Sequence, residues 1–163
     1  VIARRFAALG FDVRGYARTL HSIEGVATFA GSDQLAAFAD GLDIVVSVLP
    51  LTPETTGIMN AGFFGMLADG AFIINGGRGP QVDDDDLLAA LGSGKIGGAA
   101  LDVFAVEPLP QDHPFWTHPK VRVWPHVAAQ TNATSAAEQV AAAITAMMDG
   151  SEPANRVDWS RGY

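Results

Sequence analysis

Three side chains with complementary chemistry, Arg78, Glu107 and His126, each follow an apolar run that predicts a buried strand. They lie in the segments IINGGRG (73–79), AALDVFAVEP (99–108) and VRVWPHVAA (121–129). Because the carboxyl ends of parallel strands share one edge of a sheet, these side chains can converge on one crevice. Arginine binds a planar carboxylate through two parallel hydrogen bonds, histidine titrates near neutral pH, and a neighbouring glutamate favours the imidazolium. This set of groups suits the reduction of a 2-oxo acid.

Each of the three residues also has a simpler interpretation. Arg78 alone would be a solvated loop cation, Glu107 a surface acid before a proline turn, and His126 a hydrogen-bonded residue at a strand end. The catalytic hypothesis depends on their joint position after three successive strands.

Composition excludes several classes of protein. The chain has 163 residues, enough for one domain with a core, and its 48% hydrophobic and 17% charged residues with 18 glycines indicate a compact α/β protein. A net charge of -8 disfavours a nucleic-acid partner. No apolar stretch has the length of a membrane span, so no membrane partner is expected. The absence of cysteine fits a cytoplasmic protein.

Strand-like and helix-like patterns alternate along the chain. They predict strands at 11–16, 43–49, 71–74 and 99–104 and helices at 1–9, 32–40, 60–67 and 83–91. Ser32 is the expected cap of the second helix. The four acids at 83–86 suit the amino end of a helix better than a metal site.

The segment after residue 107 holds two further features. His113 and His118 lie in a proline-rich loop and could bind a metal, but no third ligand is evident, so packing of the turn is the preferred interpretation. A last helix is predicted with a capping box of Ser135 and Glu138. Its apolar stripe is interpreted as core and comprises Ala137, Val140, Ala141, Ile144, Met147 and Met148.

Four motifs together resemble the D-isomer-specific 2-hydroxyacid dehydrogenases. They are LPLTPET (49–55), NGGRG (75–79), LDVF with EPLP (101–104 and 107–110) and PHVAA (125–129), and the resemblance extends through nearly the whole chain in the family's order. The segment DHPFW (112–116) and the ending RGY (161–163) are most similar to the glyoxylate/hydroxypyruvate reductase branch.

The resemblance implies a fold and a set of roles. The fold would be α/β, a doubly wound parallel sheet of the Rossmann type. Arg78 would hold the substrate carboxylate and carbonyl oxygen, and His126 would give that oxygen its proton. Glu107 would keep His126 protonated and oriented. Asp102 would hydrogen-bond the nicotinamide side of the coenzyme, or else it caps the end of its strand.

The coenzyme expected is NADP, with NAD possible. An acidic residue after the second strand of a dinucleotide fold accepts from the ribose 2′-hydroxyl, whereas a basic one accommodates a 2′-phosphate. Here Ala17 takes that place and Arg18 follows it, although Arg18 could equally be an exposed loop cation. The positions expected to contact the coenzyme are Arg18, Thr19, Leu49, Pro50, Thr55, Gly76, Gly77, Arg78, Asp102, His126 and Ala128.

A glycine-rich phosphate turn of the form G-x-G-x-x-G and the strand before it are missing from the sequence, which begins in a helix-like segment. We expect residues 1–150 to be a partial dinucleotide-binding domain and 151–163 to be a polar tail returning toward a substrate domain. By itself this chain would be inactive, and the full-length enzyme, a homodimer in this family, would act on glyoxylate or hydroxypyruvate. The alternative is a dinucleotide-sensing binding protein, like the corepressors that resemble the family.

Overall fold

The computed structural model describes residues 1–158. The predicted ending at 161–163 and the last part of the predicted tail lie outside the described residues. In chain order the helices and strands are α1 (Ile2–Ala8), β1 (Arg14–Ala17), β2 (Ala27–Ala30), α2 (Leu35–Ala39), β3 (Ile44–Ser47), α3 (Ala61–Met66), β4 (Ala71–Asn75), α4 (Asp84–Ser93), β5 (Ile96–Leu101), β6 (Val121–Val123) and α5 (Ala133–Met148). Short 3-10 helices cover Ser32–Gln34, Gly79–Gln81 and Pro114–Trp116.

The strands form two parallel sheets. Strands β3, β4, β5 and β6 pair in sequence order, and β1 pairs with β2 in a separate two-stranded sheet. Helix α3 connects β3 to β4 and α4 connects β4 to β5, as is usual between parallel strands, so the predicted α/β class is confirmed. Strand β2 was not predicted, because a four-residue segment that follows Gly25 carries little periodic signal.

The register of the larger sheet brings four strand ends to one level. Ser47 lies opposite Asn75, Asn75 opposite Leu101, and Leu101 opposite Val123. The segments that follow these residues therefore begin side by side at the carboxyl edge. This is the convergence that the sequence predicted for Arg78, Glu107 and His126.

The hydrophobic core lies between one face of the larger sheet and helices α3 and α4. Ile73 and Ile96 from the sheet and Leu87 and Leu91 from α4 are fully buried. Burial of each such side chain contributes about 1.5–3 kcal/mol. Helix α4 begins where predicted, since the Asp83 carboxylate accepts from the backbone N–H of Asp86 at 3.0 Å.

A cavity of about 620 Å³ separates the two sheets. It is lined by residues of β1 and β3 together with side chains of α1 and α2, and no strand among residues 1–158 lies between β1 and β3. Both strands therefore present an unpaired edge to the cavity. This arrangement matches a doubly wound sheet whose central strand is not among the described residues.

Two predicted helix caps are wrong. Helix α5 is capped by Asn132, whose side-chain oxygen accepts from the N–H of Ser135, so Ser135 and Glu138 form no capping box. Before α2 the 3-10 helix is preceded by Gly31, and no side-chain cap comes from Ser32. At α5 a second polar residue three positions earlier takes the cap, whereas before Ser32 the chain turns at Gly31 with a φ of 76° and no side chain caps the 3-10 helix.

The predicted burial of the α5 stripe is also wrong. No residue of α5 is buried, and Ile144, Met147 and Met148 are 54%, 70% and 82% exposed. Helical spacing predicts that apolar side chains share a face, but it does not determine what covers that face.

No helix within residues 1–158 is long and apolar enough to cross a bilayer.

Candidate active site

A crevice of about 420 Å³ lies at the carboxyl edge of the larger sheet. One wall is the segment that follows β3, residues 48–51, and the other is the segment that follows β4, Gly76, Gly77 and Arg78. Five residues predicted to contact a coenzyme line this crevice: Leu49, Pro50, Gly76, Gly77 and Arg78.

Arg78 lies at the start of a short 3-10 helix in an extended conformation. The Asn75 side-chain amide donates to the carbonyl of Arg78 at 3.1 Å, and its oxygen accepts from the N–H of Gly77 at 3.0 Å. The guanidinium is exposed and donates to the Gly77 carbonyl at 2.8 Å. The backbone of Arg78 is thus fixed by buried groups, while its cationic end is accessible from the crevice.

Two glycines in this segment allow close backbone contacts. A Cβ atom at Gly77 would lie 2.6 Å from Oε1 of Gln81 and 3.0 Å from the carbonyl oxygen of Leu49. A Cβ atom at Gly79 would overlap the backbone carbonyl group of Phe104. Any side chain at Gly79 would therefore push the Arg78 segment away from the chain that follows β5.

His126 and Glu107 form a hydrogen-bonded pair, with 2.8 Å between Nδ1 and Oε2. The other carboxylate oxygen of Glu107 accepts from the N–H of Phe104 at 2.9 Å. The hydrogen bond from His126, followed by that from Phe104, lowers the pKa of Glu107 below its usual value. Because an ionised carboxylate only accepts, the hydrogen between the two residues belongs to Nδ1 of His126. The Nε2 atom is therefore the one left for a substrate.

Asp102 fixes the turn that carries His126. Its two carboxylate oxygens accept from the N–H groups of Val127 and Ala128 at 2.8 and 2.9 Å, and its carbonyl accepts from the N–H of His126 at 2.9 Å. His126 has a φ of 56°, a left-handed conformation that costs a residue other than glycine about 1–3 kcal/mol. The three hydrogen bonds that Asp102 accepts stabilise the turn in this conformation.

The segments that carry Arg78 and His126 are in contact. The Asn75 carbonyl accepts from the N–H of Asp102 at 3.0 Å, and a Cβ atom at Gly76 would lie 3.6 Å from the Cβ of Ala128. Guanidinium, imidazole and carboxylate therefore belong to one continuous edge of the sheet.

The residues predicted to bind the adenosine end of a coenzyme lie on the smaller sheet. Arg18 follows β1, and its guanidinium lies 3.8 Å from the carboxylate of Glu54, which belongs to the segment after β3. The Thr19 hydroxyl lies 3.4 Å from Nε2 of His21. Ala17 ends β1, so no carboxylate occupies the position directly before Arg18.

Thr55 shapes the segment after β3. Its hydroxyl donates to the Pro50 carbonyl at 2.7 Å and accepts from the N–H of Thr52 at 2.8 Å. Its place among the coenzyme contacts remains a prediction, and its observed contacts are those of a turn residue.

His113 and His118 have local partners. The Nδ1 atom of His113 accepts from the N–H of Phe115, its ring packs 4.5 Å from that of Phe115, and its Nε2 lies 3.6 Å from the Asp84 carboxylate. His118 accepts from the N–H of Lys120 at 3.2 Å. Within residues 1–158 no group of three or more acidic, histidine or cysteine side chains is arranged to hold a metal ion.

Gln81 was not among the predicted site residues. It is fully buried behind the crevice, and its amide contacts both walls. Gln81 is a polar residue between Pro80 and Val82, two residues before a helix cap, in a segment expected to be buried. A polar residue in such a segment is the sequence signal that could have identified Gln81.

Comparison with known proteins agrees with this geometry. Residues 1–128 match the sequence profile described as "D-isomer specific 2-hydroxyacid dehydrogenase, NAD binding domain". The chain is 49% identical over 162 residues to the glyoxylate/hydroxypyruvate reductase A of Serratia proteamaculans and 48% identical to that of Yersinia enterocolitica. These alignments cover 99% of this chain and 52% of each relative, so the chain spans about half the length of these relatives.

Solved structures superpose closely. A D-isomer specific 2-hydroxyacid dehydrogenase from Xanthobacter autotrophicus, in complex with NADPH and MES, has a TM-score of 0.95 at 48% identity, covering 99% of this chain and 66% of that one. An NADPH-dependent glyoxylate/hydroxypyruvate reductase from Sinorhizobium meliloti, in complex with NADP and sulfate, has a TM-score of 0.93 at 41% identity, covering 99% and 52%.

Proposed function

Because the chain belongs to the D-isomer specific 2-hydroxyacid dehydrogenase family, we propose that the full-length protein reduces small 2-oxo acids with NADPH. Glyoxylate and hydroxypyruvate are the candidate substrates, since relatives at 48–49% identity are named for them. The hydrogen-bonded pair of Glu107 and His126, on the same sheet edge as Arg78, is the observation that carries the proposal.

The residues divide the reaction between them. Arg78 binds the substrate carboxylate and orients the carbonyl group. When bound, NADPH supplies the hydride that the carbonyl carbon accepts. His126 donates its Nε2 proton to the carbonyl oxygen, and the product is the 2-hydroxy acid. Glu107, ionised and bonded to Nδ1, stabilises the imidazolium and holds the ring.

The crevice suits the nicotinamide part of a dinucleotide. Its walls include Gly76 and Gly77, where no side chain narrows the space between the segments that follow β3 and β4. Asp102 serves chiefly to position the His126 turn. Since each of its oxygens has a second lone pair, a hydrogen bond to the nicotinamide side, as predicted, remains available.

Arg18 and Thr19 are proposed to bind the 2′-phosphate of the coenzyme. Arg18 is exposed, and Ala17 brings no negative charge to the end of β1. Glu54 now neighbours the guanidinium at 3.8 Å, and a phosphate dianion would compete with it for Arg18. NADH remains a possible second donor.

Arg18→Ala should reverse or abolish the preference for NADPH. One charge-assisted contact contributes about 1.5–3 kcal/mol, so the ratio of kcat/KM for NADPH to that for NADH should fall roughly ten- to a hundredfold. Steady-state kinetics of the full-length enzyme with both coenzymes measures the ratio. Arg122→Ala, which removes an exposed cation from β6, is the matched control. A wild-type preference for NADH, or a ratio that Arg18→Ala leaves unchanged, contradicts the NADP assignment.

Glu107→Gln should move the alkaline limb of the pH profile for reduction to lower pH, because it removes a negative charge next to His126. The hydrogen bonds from His126 and Phe104 lower the pKa of Glu107 and keep it ionised across the neutral range, so a negative charge lies 2.8 Å from Nδ1 of His126. Glutamine retains an oxygen for the N–H of Phe104 but removes the charge. The pH dependence of kcat/KM is the measurement, with Glu152→Gln, at an exposed ion pair with Arg156, as control. An unchanged limb would remove Glu107 from the mechanism.

Turnover separates the reductase from the alternative of a dinucleotide-sensing binding protein. The full-length protein should consume NADPH when glyoxylate or hydroxypyruvate is added, at a rate that depends on the acid concentration. Coenzyme binding without turnover of either acid would favour the sensing protein.

A homodimer is also proposed on the family resemblance, and light scattering of the full-length protein tests it.

A further inference from the structure

The amide of Gln81 is buried behind the crevice with every hydrogen-bonding position occupied. Its oxygen accepts from the N–H of Arg78 at 3.2 Å and from the hydroxyl of Ser47 at 3.1 Å. Its nitrogen donates to the carbonyls of Leu49 at 2.9 Å and Pro50 at 3.1 Å. The side chain has no exposed surface, so water cannot replace these partners.

The four partners fix the orientation of the amide. Reversing it would place the NH₂ group against the N–H of Arg78 and the oxygen against the carbonyls of Leu49 and Pro50. Only one orientation is therefore compatible with the surroundings, and it connects the two walls of the crevice through a single rigid group.

The backbone around Gln81 is equally constrained. Its carbonyl accepts from the N–H of Met59 at 2.9 Å, and its N–H donates to the carbonyl of Arg78 at 3.2 Å. A Cβ atom at Gly77 would lie 2.6 Å from the amide oxygen, so the absence of a side chain there leaves room for the amide. Gln81 therefore cannot shift without moving the Arg78 segment.

We infer that Gln81 is a positioning residue for 2-oxo-acid reduction, because its buried amide sets the spacing between the Arg78 backbone and the wall formed by Leu49 and Pro50. This inference rests on the proposed function. Arg78 would hold the substrate, and Leu49 and Pro50 would contact the coenzyme, so the amide controls how the two reactants meet. A displacement of about 1 Å in such a site lowers the rate by roughly a hundredfold.

Gln81→Met tests the inference in the full-length enzyme, since methionine conserves the volume and removes the amide. We expect kcat/KM for glyoxylate to fall roughly ten- to a hundredfold. Leu87→Ala is the control, because it opens a cavity in the same core and touches neither wall through a polar atom. Both variants should lower the melting temperature. Equal kcat/KM in the two variants would overturn the inference and leave Gln81 with a stabilising role only.

Hydrogen exchange gives a readout that is independent of turnover. The N–H of Arg78 donates to the amide oxygen of Gln81, so its exchange should be slow in the wild type and accelerate at least tenfold in Gln81→Met. The backbone amide of Arg78 should exchange more slowly in Leu87→Ala than in Gln81→Met. Fast exchange at Arg78 in the wild type would overturn the inference. If the wild type reduces no 2-oxo acid, the proposed function fails, and the exchange rates still test the spacing.

Gln81→Glu provides a test within one protein, should the methionine variant fail to fold. A protonated glutamic acid accepts from the N–H of Arg78 and donates to one wall carbonyl, whereas a carboxylate faces two carbonyl oxygens. Burial raises the pKa of such a carboxyl group, so the activity of Gln81→Glu relative to wild type should rise at least tenfold between about pH 8 and about pH 6. A ratio independent of pH would contradict the proposed role.

Discussion

Replacing His126 with asparagine is expected to lower kcat/KM for glyoxylate by roughly two to four orders of magnitude, the contribution of a positioned general acid. Asparagine is the appropriate substitute because it tolerates the left-handed backbone that His126 adopts at a φ of 56°. The hydrogen bonds that the N–H groups of Val127 and Ala128 donate to Asp102 do not involve the imidazole, so the turn should keep its shape. The expected loss is therefore chemical and not conformational.

Two measurements decide the role of His126. The dissociation constant for NADPH, measured by fluorescence titration of the full-length enzyme, should change far less than kcat/KM, because the predicted coenzyme contact of His126 is only one of several and its proton acts on the carbonyl oxygen. The rate at saturating glyoxylate should carry most of the loss. A loss of kcat/KM below about tenfold would show that another group or water protonates the substrate, and His126 would return to the role of a strand-end residue.

The sequence predicted that the segments carrying Arg78, Glu107 and His126 meet at one edge of the sheet, because strand ends have strong local signals. Apolar runs at 71–74 and 99–104 end in polar or glycine-rich segments, and a parallel sheet brings such ends to one level. That rule brings Glu107 and His126 to the same edge, and the contact between them also depends on the turn that Asp102 holds. The spacing in sequence, nineteen positions, carries no information about the 2.8 Å between the two side chains.

Contacts that depend on the tertiary arrangement were not predictable from local sequence patterns. Gln81 is polar and buried because the carbonyls of Leu49 and Pro50, more than thirty positions away, need donors. The two carboxylate oxygens of Asp102 are occupied by the N–H groups of a turn twenty-five positions further along. Both side chains form hydrogen bonds with backbone groups of a distant segment. The local periodicity of the sequence does not show that these groups lack other partners.

The exposure of α5 shows that the burial of apolar residues, too, is not predictable from a local pattern. The spacing of Val140, Ile144 and Met147 correctly predicted a helix with one apolar face. Whether that face is buried depends on other segments, and within residues 1–158 none covers it. Secondary structure was therefore predictable where burial was not.

The proposed binding of the substrate carboxylate by Arg78 gives the second prediction with a large effect. Arg78→Lys keeps the positive charge but loses the planar pair of donors, so kcat/KM for a 2-oxo acid should fall by roughly two orders of magnitude or more. The backbone of Arg78 is held by Asn75 and Gln81, and neither contact involves the guanidinium. The segment should therefore keep its conformation in the variant, and the loss should measure the clamp itself.

Arg122→Lys is the matched control for this substitution. Arg122, in the middle of β6, is also exposed and donates through Nη1 to the carbonyls of Pro119 and Val121, much as Arg78 donates to Gly77. It lies outside the crevice lining, so its substitution should leave kcat/KM within about twofold of wild type. The loss of kcat/KM in Arg78→Lys should be smaller for a substrate analogue that lacks the carboxylate, because such an analogue has no group for the two guanidinium donors to bind. Near-normal activity of Arg78→Lys with glyoxylate would mean that Arg78 is a solvated loop cation and that another residue holds the substrate.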